Sequence, residues 1–151
     1  MSEHATSGET PSSPEILAAI PHRPPMLLVD EILGQTETTI TGRKTFRGDE
    51  FFVQGHFPKY PLVPGVILCE CAMQCGAILL ASKMTESTMV PVATRMDNVK
   101  FKQMVRPGDT VIIEVTLTES VSTAYFMTGK LTCNGKLAAR LDFACTVASA
   151  P

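Results

Sequence analysis

Apolar and polar positions alternate along the last third of this chain and crowd together in its middle, and the two regimes predict different elements. Over Val111–Leu117, the residues Val111, Ile113, Val115 and Leu117 point one way, against Ile112, Glu114 and Thr116. Tyr125, Met127, Leu131 and Cys133 oppose Phe126, Thr128, Lys130 and Thr132 along the next run. The last run is the clearest: Leu137, Ala139, Leu141, Phe143, Cys145 and Val147 share one face, with Lys136, Arg140, Asp142 and Thr146 mainly on the other. Period two predicts antiparallel strands around 92–104, 109–121, 123–133 and 136–148, with tight turns at Pro107-Gly108-Asp109 and Asn134-Gly135. In the middle, Gly65 to Met84 is apolar almost throughout, interrupted by Glu70 and Gln74, and predicts a long buried helix opened by Pro64-Gly65 and closed before a Thr85–Thr88 turn. Upstream, Ser13-Pro14-Glu15 supplies a cap, a first-turn proline and a first-turn acid for a short helix running to Ile20. Met26–Leu33 and the Thr-rich Thr36–Phe46 read as strands, and the proline-punctuated Phe51–Pro64 as irregular chain. A sheet with one apolar face needs a cover, and a helix apolar all round needs a wrapper. The predicted class is therefore α+β, an antiparallel sheet wrapped around one long central helix.

Composition adds bounds. The 151 residues suit one domain, expected over 14–149 behind a polar, disordered tail at 1–13. A hydrophobic share of 44% with 19% charged residues excludes disorder throughout, and a formal net charge of −2 offers no global field for nucleic acid. Glu70 and Gln74 argue against a membrane span in the middle segment. The tail has no signal-peptide apolar core, and Cys69, Cys71, Cys75, Cys133 and Cys145 look like core-filling thiols, so a reduced, cytoplasmic setting is expected. The C-x-C and C-x3-C spacings on one helix spread thiols over different faces, so no zinc site with His56, and no other metal, is expected.

The candidate chemistry sits between Gly55 and Gln74. Pro64 can begin a helix without losing a needed donor, and Gly65 then presents a free amide with no Cβ in the way, a ready site for a developing oxyanion. Glu70, flanked by Leu68, Cys69, Cys71, Ala72 and Met73, is expected to be enclosed and to serve as a proton donor. Gln74 lies at i+4 from it on the same helical face. His56 in the preceding loop supplies the side-chain type that exchanges protons near neutrality. On residue types alone, a satisfied loop histidine and a carboxylate paired with a buried cation remain an equal alternative.

The run Gly55-His56-Phe57-Pro58, Pro61, Pro64-Gly65-Val66, Glu70 and Gln74 resembles the signature of the (3R)-hydroxyacyl-[acyl-carrier-protein] dehydratases of FabZ type. His22-Arg23-Pro24-Pro25-Met26-Leu27-Leu28-Val29-Asp30, Val99-Lys100-Phe101-Lys102 and Arg106-Pro107-Gly108-Asp109 extend the resemblance from about 15 to 148. It implies a hot-dog fold and a homodimer in which His56 of one subunit meets Glu70 of the other; assemblies of three dimers occur among similar proteins. It implies that His56 removes the α-proton, Glu70 protonates the departing β-hydroxyl and the Gly65 amide holds the thioester carbonyl. Leu62 would orient His56 through its carbonyl, Gln74 would steady Glu70, and Phe57 would support the loop. The substrate would be a 3-hydroxyacyl thioester of acyl carrier protein or coenzyme A, no cofactor is required, and glutamate rather than aspartate at 70 favours plain dehydration. Lys59 and Val63 depart from the family pattern, and 119–125 lacks its basic residues, so Arg95, Lys100, Lys102 and Arg106 are the substitute cations for an acidic carrier, against a merely solvated strand face. A thioesterase on the same fold, or a non-catalytic acyl-binding relative, are the competing readings. His22 is read only as shaping a turn.

Overall fold

The computed structural model describes residues 12–84 and 88–149. Most of the tail expected to be disordered, His4 included, and positions 85–87 of the expected turn lie outside the described residues.

Helix α1 is Pro14–Ala19, capped by Ser13, whose side-chain oxygen accepts the Ile16 amide at 3.4 Å. Strands β1 (Glu31–Gln35) and β2 (Thr39–Thr45) follow, then helix α2 (Gly65–Ala81) and strands β3 (Met89–Phe101), β4 (Thr110–Val121), β5 (Ala124–Cys133) and β6 (Lys136–Ser149). All pairings are antiparallel, in the sheet order β1-β2-β4-β5-β6-β3. The sheet curls around α2, the hot-dog arrangement of the expected α+β class.

The alternation predicted for the later strands decides what meets the helix. Val111, Ile113, Val115, Met127, Leu131, Leu141 and Phe143 are buried on the inner face with Ile67, Leu68, Cys71, Cys75, Leu79 and Leu80 of α2. Close approach depends on small residues: a Cβ on Gly42 would lie 2.8 Å from the Cys75 sulfur, and one on Gly129 would lie 3.0 Å from Ala72 Cβ.

Three boundaries differ from expectation, each for a backbone reason. The strand expected at Met26–Leu33 begins only at Glu31, because the Leu28 N–H and the Met26 carbonyl bond the side-chain amide of Gln74, each at 2.8 Å, instead of a neighbouring strand. The strand expected over 92–104 runs Met89–Phe101; beyond it, Lys102 and Gln103 both turn their amides onto the Ala138 carbonyl, at 2.7 and 3.3 Å. That carbonyl sits at a bulge in β6, between Ala139 paired with Leu131 and Leu137 paired with Thr132. Helix α2 stops at Ala81, short of Met84. It is also not enclosed all round: Val66 is exposed and Glu70 and Met73 are half-buried, an i, i+4, i+7 strip left open by the sheet.

Candidate active site

The irregular segment between β2 and α2 is shaped by a few strong local constraints. Lys44 at the end of β2 and Glu50 are both buried and form an ion pair at 2.6 Å, while the Arg47 amide donates to the second Glu50 oxygen at 2.9 Å. Gly55 adopts φ +79°, a left-handed turn conformation suited to glycine, and the following His56 amide bonds the Val53 carbonyl at 3.1 Å. His56 Nδ1 lies 2.9 Å from the Leu62 carbonyl oxygen. A carbonyl only accepts, so this bond places the proton on Nδ1 and leaves Nε2 as a bare base. The Phe57 ring meets the imidazole edge-on with centroids 4.7 Å apart, and is itself largely exposed.

Pro64 then precedes α2, and no side chain caps the helix start. The Gly65 amide therefore remains available to an anion, whereas the Ile67 amide already donates to the Pro64 carbonyl at 2.9 Å. The Phe101 ring stands over Gly65 so closely that a Cβ there would come within 2.7 Å of it. His56, Gly65, Phe101, Leu62, Met104 and Lys102 are among the walls of an open cavity of about 690 Å³, most of whose lining is apolar.

Glu70 lies elsewhere. With a quarter of its side chain exposed, it is less enclosed than its neighbours in the sequence suggested. It opens into a second cavity, of about 100 Å³, together with His22, Met73, Gln74, Ala77 and Cys145. Gln74, 1% exposed, donates to Glu70 Oε1 at 3.1 Å and to the Met26 carbonyl. Its own oxygen accepts from Leu28, which fixes the orientation of the amide. Burial, with the Glu70 charge second, pushes the Cys145 thiol up to about 11.

The structure thus groups His56, Leu62 and Gly65 in one cavity and Glu70 with Gln74 in another. It adds His22, which the sequence reading set aside as turn-shaping: its Nε2 is 3.9 Å from Glu70 Oε1. Its position five places before Leu27 in an uncertain strand carried no sign of that proximity; the proline-rich turn that brings it there is tertiary. Of the four substitute cations, Arg95 is engaged with Asp97 at 2.5 Å, while Lys100, Lys102 and Arg106 are exposed. Lys100 pairs in register with Arg140, and Arg140 with Lys130, whose other neighbour is Glu114; of the cations in this region, Lys102 lines the first cavity. Among the described residues no group of three or more His, Cys, Asp or Glu side chains could hold a metal ion, and all five cysteines are free and buried.

Residues 20–142 match the family model described as FabA-like domain. The chain is 41% identical over 125 residues to 3-hydroxyacyl-[acyl-carrier-protein] dehydratase FabZ of Streptococcus pneumoniae strain CGSP14, covering 83% of this chain and 89% of that one. It is 40% identical over 133 residues to the protein of the same name from Streptococcus pyogenes serotype M3, covering 87% and 96%. Among solved structures, the dehydratase heterocomplex ApeI:P from Xenorhabdus doucetiae superposes with TM-score 0.76 at 14% identity over 89% of this chain and 91% of that one. The PaaI protein of E. coli superposes with TM-score 0.63 at 15% identity, covering 77% and 81%. These two likenesses speak to the fold.

Proposed function

The chain belongs to the FabA-like family, among the FabZ-type 3-hydroxyacyl-[acyl-carrier-protein] dehydratases, and we propose that it acts as they are named to act. It is a hydro-lyase of fatty-acid biosynthesis that removes water from 3-hydroxyacyl thioesters. For the (3R) substrate and a trans-2-enoyl product, the steps follow from the residues. His56 Nε2, bare because Nδ1–H is spent on Leu62, takes the α-proton. The Gly65 amide at the uncapped start of α2 receives the charge that develops on the thioester oxygen. Glu70 gives a proton to the β-hydroxyl, the C–O bond breaks, the C=C bond forms, and water leaves. His56 then releases its proton and Glu70 regains one. The elimination expels water with no net change in oxidation state, so it requires no redox cofactor.

The observation that carries the reading further is the separation of His56 and Glu70 into two cavities of one chain. Acid and base must converge on adjacent carbons of one substrate, so the pair is completed by a second copy. Two features favour that copy: β3 is an edge of the sheet thirteen residues long, with Val92, Met96 and Phe101 exposed along it, and the strip Val66, Glu70, Met73 is uncovered. An unpaired apolar edge invites an identical strand. We therefore place the active site across a homodimer, three of which can assemble further, and take 14–149 as its working domain. The carrier is acyl carrier protein rather than coenzyme A alone, met by Lys102, Lys100, Arg140 and Lys130. No helix among the described residues is long and apolar enough to cross a membrane, and five unpaired thiols suit a reducing cytoplasm.

The test is direct. A 3-hydroxyacyl thioester of carrier protein is incubated with enzyme, and conjugated enoyl absorbance is followed alongside free thiol. Absorbance without thiol is expected, and His56→Ala should lower the rate by about 10²–10⁴. Thiol release without enoyl product would make the protein a thioesterase, and equal traces for both proteins would remove His56 from the chemistry.

A further inference from the structure

Glu70 is approached by two nitrogens, and both converge on the same oxygen. Gln74 Nε2 donates to Oε1 at 3.1 Å, and His22 Nε2 stands 3.9 Å from that atom. His22 is held there from both sides. Arg23 ties its guanidinium to the carbonyls of Leu17, Ile20 and His22 itself, and Gln74 bolts down Met26 and Leu28 just beyond. The His22 Nδ1 atom is buried without a hydrogen-bond partner. Buried polar atoms are normally paired, so an unpaired one beside an acid points to a role in the site.

We propose that His22 is a positioning residue for Glu70: its Nε2–H, with the Gln74 amide, serves Oε1, so that Oε2 carries the proton delivered to the departing hydroxyl. This rests on the reading of Glu70 as the acid. As the proton leaves Oε2, negative charge appears on a carboxylate that already has one donor in contact and a second within a small movement or one bridging water. The carboxyl also cannot rotate freely to present Oε1 to the substrate. The other titratable group lining this cavity does not compete for the part, since the Cys145 thiol is buried and its pKa is raised; the nearby Arg23 guanidinium is engaged with carbonyls.

Three variants separate the possibilities, measured as kcat and KM for dehydration in the intact protein. His22→Phe keeps a ring of similar shape and removes the N–H; His22→Gln keeps an N–H donor and changes the shape; Glu70→Gln removes the acid. The expected result is a fall in kcat of roughly ten- to a hundredfold for His22→Phe with KM little changed, recovery of most of it in His22→Gln, and loss of turnover in Glu70→Gln. Equal impairment of both His22 variants, or an active His22→Phe beside an impaired His22→Gln, would show that ring packing matters and overturn the proposal. Wild-type kcat in His22→Phe would overturn it as well. An active Glu70→Gln would instead remove the acid assignment on which it stands.

Discussion

At the scale of single residues, Gln74 carries the most consequence per atom. Its side-chain amide satisfies the Leu28 N–H, the Met26 carbonyl and Glu70 Oε1 at once, in a position 1% exposed. Gln74→Leu fills similar space but orphans the buried Leu28 N–H, at a cost of about 1–3 kcal/mol, and releases the carbonyl of the exposed Met26. Urea unfolding should therefore show a loss of roughly 1–3 kcal/mol, and dehydration should weaken because Glu70 loses its donor; a variant as stable as wild type would contradict the geometry. The i+4 relation of Gln74 to Glu70 was legible in the sequence, since helical spacing alone puts them on one face. Its bonds to Met26 and Leu28 were not. Those join positions 46 and 48 residues apart, and no local pattern announces a side chain standing in for a strand. His22 was missed for the same reason.

At the scale of elements, the segment that carries His56 is held by the end of β2. Lys44 is 2% exposed, pairs with Glu50 at 2.6 Å, lies 3.7 Å from Asp30 and rests 5.5 Å from the Phe46 ring centroid. Lys44→Met removes one charge and leaves Glu50 buried without it, a change expected to cost about 3–5 kcal/mol. Lys44→Met/Glu50→Leu should be closer to wild type in stability, because neither charge then remains stranded. Thermal denaturation of the single and double variants checks this; a double variant worse than the single would show that the pair itself carries the stability. Strands β4, β5 and β6 were readable because one face of each is buried and the other wet, with Asn134-Gly135 marking a turn, Asn134 at φ +53° and Gly135 at φ +76°. Strand β3 was readable in its place along the chain, over 92–101, but not in its ends or in its seat within the sheet. Most of its side chains are exposed or half-buried, so it has no clean period, and its seat beside β6 rather than β4 is a matter of pairing between distant segments. Its bulges at Thr94 and around Asn98, where φ is +52°, shift the register further.

At the scale of the whole molecule, two properties follow from how the sheet encloses the helix. The first is alkaline lability. Burial raises the Cys75 thiol from its ordinary 9.0 to about 12, the Cys145 thiol to about 11, and Cys71 as well. Between those values the folded chain keeps protons that the unfolded chain has released, so this contribution to stability is complete below 9.0 and declines as pH rises towards about 12. Urea midpoints should fall steadily above pH ~9, with a shallower fall in Cys75→Ala; a flat profile would contradict the burial of these thiols. The second concerns the proposed shared site: His56 and Glu70 face different cavities, and on that proposal one chain supplies half of each catalytic pair. Co-expressing His56→Ala with Glu70→Gln tests this most directly. In a twofold dimer each mixed pair regains one site with a native His56 and a native Glu70, so random assembly should restore about a quarter of wild-type dehydration from two inactive proteins. No recovery in mixed dimers confirmed by mass spectrometry would contradict the shared site and return both residues to a single chain.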